Sequence, residues 1–238
     1  MLSVIKILLV CIALMSCNNT PKGLPEGFEE VKRNEYENSM LNYVSSYDKT
    51  FYLENREGRI VVYEDIIFDK KPEIILSDGK LEGRTTGICG EGFLEFTPNK
   101  NPDTTIVLTN SIISFIFEYL DDNYLVTYGP TEDRLHFGTL EKIERKEGRF
   151  IFHEIHRFTS VPLVYSVYNE KLIILTSNKL TIFENGKKKE LFKDEIWNNN
   201  KPNSICVIDE RNVYLGMDFV IVRLDLIDEN MYFYQKRY

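Results

Sequence analysis

Two histidines three residues apart, His153 and His156 in RFIFHEIHRF, are the first residues whose type and spacing suggest chemistry, because imidazole is the commonest metal ligand among side chains. Shared ligation needs both rings on one side of their element. The phenylalanines and isoleucines around them mark a strand, on which residues three apart point to opposite faces, so neither a metal site nor any other cofactor is expected. His136 stands alone in RLHFG, and no serine and acid accompany it at a spacing that assembles a nucleophile and its base. The sequence carries no glycine-rich phosphate loop, Cys-x-x-Cys pair or calcium loop. Asp121 with Asp122, and the acids between 225 and 230, read as turns, so no catalytic residue is assigned. The single tryptophan, Trp197, lies in the polar stretch KDEIWNNNKPNS. An indole there could stack on a sugar or hold a peptide, or tuck under its own loop with Ile196.

Thiol chemistry is more sharply placed. Of four cysteines, Cys11 sits inside an apolar run from Ile7 to Met15 that follows Lys6, and Cys17 ends that run after Ser16. A membrane-spanning helix needs roughly 20 apolar residues, whereas a cleavable export signal needs only about 7 to 15. The sequence Leu14-Met15-Ser16-Cys17 resembles the lipobox of bacterial lipoproteins, although Met15 is bulkier than the residue usual there. That resemblance implies removal of residues 1–16, diacylation of Cys17 and attachment to a membrane of the cell envelope, on its periplasmic or cell-surface side. Two or three acyl chains are needed for a stable anchor, since a single chain binds only reversibly. Residues 17–38, rich in Asn, Pro, Gly and charge, read as a lipidated flexible tether, and 39–238 as the folded domain. Cys89 and Cys206 are left either as a disulfide or as two small buried thiols; the strand pattern around Cys206 favours thiols. Asp103-Thr104-Thr105 resembles a short acceptor for bacterial protein O-glycosylation, with Thr104 as the modified residue.

The elements that must position these residues are strands. Aromatic content is 13%, with 14 Tyr and 15 Phe, more than a disordered chain or helical bundle carries, and aromatic side chains favour sheets. The net charge of −8, from 29 basic and 37 acidic residues, argues against nucleic acid, whose phosphates require clustered Lys and Arg. Lys187, Lys188 and Lys189 follow Asn185-Gly186 and read as a solvated hairpin arm.

From Tyr43 onward, short Val, Ile, Leu, Tyr and Phe runs are broken by turn residues, with almost nothing at helical spacing. The last unit is SICVID, a turn at Glu210-Arg211, NVYLGM, VIVRLDL and MYFYQKR. Before it come LVYSVY, Asn169-Glu170, KLIILT, Ser177-Asn178, KLTIFE, Asn185-Gly186 and KKKELF, and Asn-Gly between apolar arms is the strongest short hairpin signal. A third unit holds IISFIFEYL, a turn at Asp121-Asp122-Asn123, YLVTYG, RLHFGTLEKI and RFIFHEIHRF. SYDKTFYLEN, RIVVYED and PEIILSD form another, and GRTTGIC, GFLEFTP and TTIVLTN a shorter one. Markers at Phe51, Phe93, Tyr124, Leu172 and Val213 recur at intervals of 42, 31, 48 and 41 residues. Four-stranded units recurring every 40 to 45 or so residues are what β-propeller blades look like in sequence.

Residues 202–226 resemble a blade of bacterial two-component-regulator-type propellers, with Asn212 opening the second strand and Gly216 permitting close backbone approach. The likeness is fair over 163–192 and poor over 83–110. It implies an all-β five-bladed β-propeller of four-stranded antiparallel meanders, with an open β meander or β-sandwich as the alternative, and implies no reaction. In such a ring, Trp197 shares a face with the loops holding Tyr128, Ser177 and Asp218, and ligand binding is expected there. The leading expectation is therefore a non-enzymatic envelope lipoprotein that binds a protein or glycan. A glycan-processing enzyme with two acids in the central funnel, or an immunity-type lipoprotein, are the alternatives.

Overall fold

The computed structural model describes residues 21–42, 49–65, 71–85, 92–130, 136–193, 200 and 202–237. Nearly all of its regular structure is antiparallel strand, gathered in separate small sheets. The first hairpin joins β2 (Phe51–Arg56) to β3 (Arg59–Glu64). The second sheet runs β4 (Glu73–Leu76), β5 (Gly79–Thr85), β6 (Gly92–Pro98) and β7 (Ile106–Thr109). The third comprises β8 (Ile112–Tyr119), β9 (Asp122–Pro130), β10 (His136–Lys146) and β11 (Arg149–Phe158). The fourth comprises β12 (Pro162–Tyr168), β13 (Lys171–Thr176), β14 (Leu180–Glu184) and β15 (Lys187–Leu191). The fifth runs β16 (Ser204–Asp209), β17 (Asn212–Gly216), β18 (Ile221–Asp225) and β19 (Asn230–Lys236), and takes β1 (Phe28–Val31) beside β19.

Turn chemistry fixes the hairpins. Glu57-Gly58, Leu120-Asp121, Glu147-Gly148, Asn169-Glu170 and Asn185-Gly186 each have positive φ at both residues. This is the conformation whose twist matches two paired strands across a two-residue loop. The third sheet's first turn is thus Leu120-Asp121, one position earlier than the sequence reading, and Asp122 and Asn123 already pair in β9.

The first two units also divide differently from the sequence reading. Residues 73–76, taken as the third strand of the first unit, pair with β5 and open the second sheet, which becomes a full four-stranded meander. The first unit keeps two strands among the described residues. The reason lies in β5. Its Lys80, Glu82 and Arg84 alternate with Leu81 and Gly83, and only Leu81 is a large apolar residue, so the segment lacks an apolar period. Ion pairs compensate its charged side: Lys80 Nζ lies 2.5 Å from Glu82, and Arg84 Nε lies 3.3 Å from Glu82 and 2.9 Å from Glu95.

The amino-terminal boundary moves as well. The tether reading of 17–38 is too long, because Phe28–Val31 pair with Lys236 back to Phe233. A short helix, α1 (Arg33–Asn42), follows. Its sequence has no apolar stripe, and its hold on the domain is Tyr36, fully buried and stacked on Phe233 with ring centroids 5.3 Å apart. The Tyr36 hydroxyl accepts a hydrogen bond from Asn200 Nδ2 at 2.5 Å. The packed domain therefore begins by Phe28, and the last unit has both its own fourth strand and an added amino-terminal one. Cys17 and residues 1–16, read from the sequence as an export signal, lie outside the described residues.

Four apolar cores lie between sheets in succession. Leu81, Leu94 and Phe96 of the second sheet meet Ile113, Ile116, Leu125 and Ile143 of the third. Phe117, Val126, Leu140 and Phe158 of the third meet Leu172 and Ile174 of the fourth. Ile173, Leu175 and Leu180 of the fourth meet Val213, Leu215, Val222 and Phe233 of the fifth, joined by Tyr36. Cys206, Tyr214 and Ile221 of the fifth meet Phe51, Leu53 and Ile60 of the hairpin. Two glycines mark close approaches between first and second strands of neighbouring sheets. A Cβ on Gly216 would collide with the Phe51 carbonyl oxygen, and one on Gly83 would lie 2.6 Å from Ile113 Cβ. Each glycine sits on a second strand and abuts the first strand of the neighbouring sheet.

Within each meander, the turns joining first to second and third to fourth strands lie at one end. Three links between sheets are made at that end: Asp78 to Arg145, Tyr119 Oη to the Glu170 carbonyl at 2.7 Å, and Lys171 to Glu210.

Candidate functional site

The site with the most chemistry is a cleft of about 730 Å³ between the outer parts of the second and third sheets, at this same tight-turn end. Its size falls within the roughly 300 to 1,000 Å³ usual for ligand sites. Three short connections form its rim: the β4–β5 turn with Ser77 and Asp78, the β6–β7 connection with Asn99 and Lys100, and the β10–β11 turn with Gly148. Its walls are Phe96, Pro98, Ile106 and Leu108 from the second sheet and Phe150 from the third.

Strand periodicity puts the central residue there. Ile143 of β10 packs in the core between the second and third sheets, and Arg145, two residues on, points to the same side. Phe150 is its cross-strand partner in β11. The guanidinium carbon of Arg145 lies 4.6 Å from the Phe150 ring centroid and 4.7 Å from that of Phe96, and these two rings touch each other at 4.9 Å. Arg145 Nη1 donates to Asp78 Oδ1 at 2.6 Å. A cation over an aromatic face gains roughly 0.5 to 2 kcal/mol, and a partly exposed ion pair up to about 1 kcal/mol. Together they fix a planar fork of donors at the mouth of the cleft. Nη1 is occupied by Asp78, which leaves the other guanidinium N–H groups without a partner among the described residues. Lys100 and Arg149, on opposite walls, have no ion pair among the described residues either. A chain that is acidic as a whole thus presents three cations and one carboxylate around an apolar floor.

The residues singled out from sequence lie elsewhere. Trp197 and Cys89 are outside the described residues. Tyr128 is half-buried near the end of β9, in register with Ile112 and Gly138, at the end of the third sheet away from the cleft. Asp218 is on the same kind of connection in the fifth sheet and acts as a clasp. Its Oδ1 accepts from the Thr50 hydroxyl at 2.7 Å, its N–H donates to Asn200 Oδ1 at 3.2 Å, and its carbonyl accepts from Asn200 Nδ2 at 2.8 Å. Ser177 donates its N–H to the Val161 carbonyl at 2.8 Å. Thr104 is exposed in the β6–β7 connection, with its N–H bonded to the Asn101 carbonyl at 3.0 Å.

The two histidines part company. His153 is exposed and its Nε2 lies 2.8 Å from Glu144. His156 turns its ring edge-to-face against Phe158 and Phe183, and its Nε2 is buried without a partner. Burial, with Lys188 and Lys179 adding repulsion, pushes its imidazole below the ordinary histidine value. Cys206 is a buried free thiol, and burial pushes it up to about 11. Glu82 is the most buried glutamate among the described residues, and its hydrogen bond from Lys80 holds its carboxyl below the ordinary range. An acid held in that state stays ionised at neutral pH and is unsuited to donate a proton.

Sequence reasoning missed the cleft because Arg145 lies in LEKIERK, where five charged residues surround Leu140 and Ile143 as in any solvated strand. Its aromatic partner Phe96 comes from another unit. The one legible hint is Phe150, two residues after a Glu-Gly hairpin turn. Protein-family models and curated proteins give no match to this chain.

Proposed function

We propose that this chain is a lipid-anchored binding protein of the bacterial cell envelope, built as a propeller-type ring of five units and taking its ligand in the Arg145 cleft. The ring reading draws support from the succession of cores from the second sheet to the first hairpin, with the first strands of neighbouring units in contact. The anchor reading draws support from the apolar run ending at Ser16-Cys17. The observation that carries the binding reading is the guanidinium of Arg145, held by Asp78 over two phenylalanine rings, beside two cations with no counter-ion among the described residues. Such an arrangement fits a ligand with an anionic group and an apolar body, because a fixed planar fork recognises carboxylate, sulfate or phosphate through paired hydrogen bonds.

Fluorescence titration of the purified chain with polyglutamate and with an acidic oligosaccharide, each beside a neutral counterpart, tests this. At least one anionic probe is expected to bind, more weakly in high salt and more weakly still after Arg145→Ala. Binding that ignores Arg145, or no binding by either anion, removes the cleft as the site. For the anchor, cells expressing the full chain are fed an alkyne fatty acid: label on the chain and its loss in Cys17→Ala are expected. Equal membrane retention of both forms defeats the anchor.

A further inference from the structure

We infer that the cleft receives an extended peptide with an acidic carboxyl-terminal end, which adds as an antiparallel strand to the free edge of β7. This rests on the reading of the Arg145 cleft as a binding site. The cleft lies between two strands that are each the last of their sheet, β7 and β11. Proteins ordinarily guard such edges with charge, proline, bulges or short strands, because an unpaired row of N–H and C=O groups recruits another strand. Among the described residues, the other outer-edge strands carry charge: β15 has Lys187, Lys188 and Lys189; β11 has Arg149, Glu154 and Arg157; β3 has Arg59 and Glu64; and β1 has Glu29 and Glu30. β7 is short and its pairing with β6 slips at Leu108, but its sequence, Ile-Val-Leu-Thr, carries no charge, and its Ile106 and Val107 are 47% and 55% exposed. Two large aliphatic residues are thus left in water on the one uncharged outer edge among the described residues, beside the cationic rim.

Geometry orders the ligand. Ile106 and Leu108 both line the cleft, so side chains of an added strand rest beside them, with Pro98 beyond. Lys100, Arg145 and Arg149 all lie toward the Ile106 end of β7, where the tight turns are. A strand antiparallel to β7 ends there, which puts its terminal carboxylate and any acidic last residue among the three cations. A glycan is less well matched, because the faces of Phe96 and Phe150 on which a sugar ring would stack are occupied by Arg145, whereas a strand edge offers in-register partners only to a polypeptide backbone.

The test uses a fluorescein-labelled octapeptide of alternating valine and threonine ending in two glutamates. Its anisotropy is followed against the full chain, together with hydrogen exchange of residues 106–109. Binding is expected, with slower exchange along β7. Amidating the carboxylates is expected to weaken it about tenfold, as is Lys100→Ala with Arg149→Ala. N-methylation of alternate backbone nitrogens, which blocks pairing and leaves charge unchanged, is expected to weaken it by about tenfold or more. Equal binding of the N-methylated peptide overturns strand addition while leaving an anion-binding cleft. An acidic oligosaccharide that binds where the peptide does not overturns the peptide assignment alone. Failure of every anionic probe defeats the site itself.

Discussion

The fifth and second sheets share a four-strand meander plan but spend their side chains differently. In the fifth, every residue of β17 is buried, and Val213, Leu215, Val220, Ile221 and Val222 are wholly inaccessible, because the fourth sheet covers one face and the first hairpin the other. In the second, Leu81, Leu94 and Phe96 are buried against the third sheet. The opposite side carries Glu73, Lys80, Glu82, Arg84 and Glu95 in ion pairs, and Ile75 is 72% exposed. One sheet is an interior layer and the other an interior layer on one face only. Stability therefore concentrates toward the carboxyl-terminal units, and the binding cleft lies against the less buried one. Proteins commonly place ligand sites in the parts that open most readily.

The contrast is broken or sharpened most strongly at Tyr36. If α1 is integral to the cover of the fifth sheet, Tyr36→Ala removes a fully buried ring and one hydrogen-bond partner of Asn200. A loss of about 4 kcal/mol is expected from urea unfolding of the purified protein, and a change below about 0.5 kcal/mol would return α1 to the tether. A like-for-like pair follows. Val222→Ala in the fifth sheet is expected to cost about 2 kcal/mol through lost burial and a cavity, and Val107→Ala in the second less than about 0.5 kcal/mol. Equal costs would erase the distinction between the two sheets.

The smallest effect is a pH dependence at the boundary of the third and fourth sheets. His156 faces Phe158 on its own strand and Phe183 across the interface, with Lys179, Lys188, Glu190 and Glu154 as the charged groups around it. Its folded-state value lies below the unfolded one of about 6.5, so the fold prefers the neutral ring. That contribution is present above the unfolded value and is lost as pH falls through the folded one. His156→Phe is expected to flatten the decline in stability between pH 7.5 and 5.5; an identical slope in both proteins would assign the decline to other groups.

How far the sequence could be read follows the same division. The third, fourth and fifth units were legible because their strands carry apolar runs bounded by turns such as Asn169-Glu170, Asn185-Gly186 and Glu210-Arg211. The second unit was misdivided because β5 has water-facing charges on one side and a glycine on the other, so Ser77-Asp78-Gly79 looked like an exit from a strand rather than a hairpin. The helix was hidden because its sequence has no apolar stripe, and among its described side chains Tyr36 is the buried one. The cleft was hidden because Arg145, Phe96 and Asp78 are brought together by sheet stacking, which leaves no local period. Tyr128 and Asp218 belong to the opposite end of their sheets, whereas the cationic rim forms at the end that carries the β4–β5 and β10–β11 hairpin turns.

The start of the described chain is stitched to the fifth sheet. Lys22 reaches Asp209 at 3.0 Å, its carbonyl accepts from Tyr214 Oη at 2.9 Å, and the Gly27 carbonyl accepts from the Arg237 N–H at 2.8 Å. Mechanical tension applied ahead of residue 21 is therefore delivered first to the most heavily buried layer of the molecule.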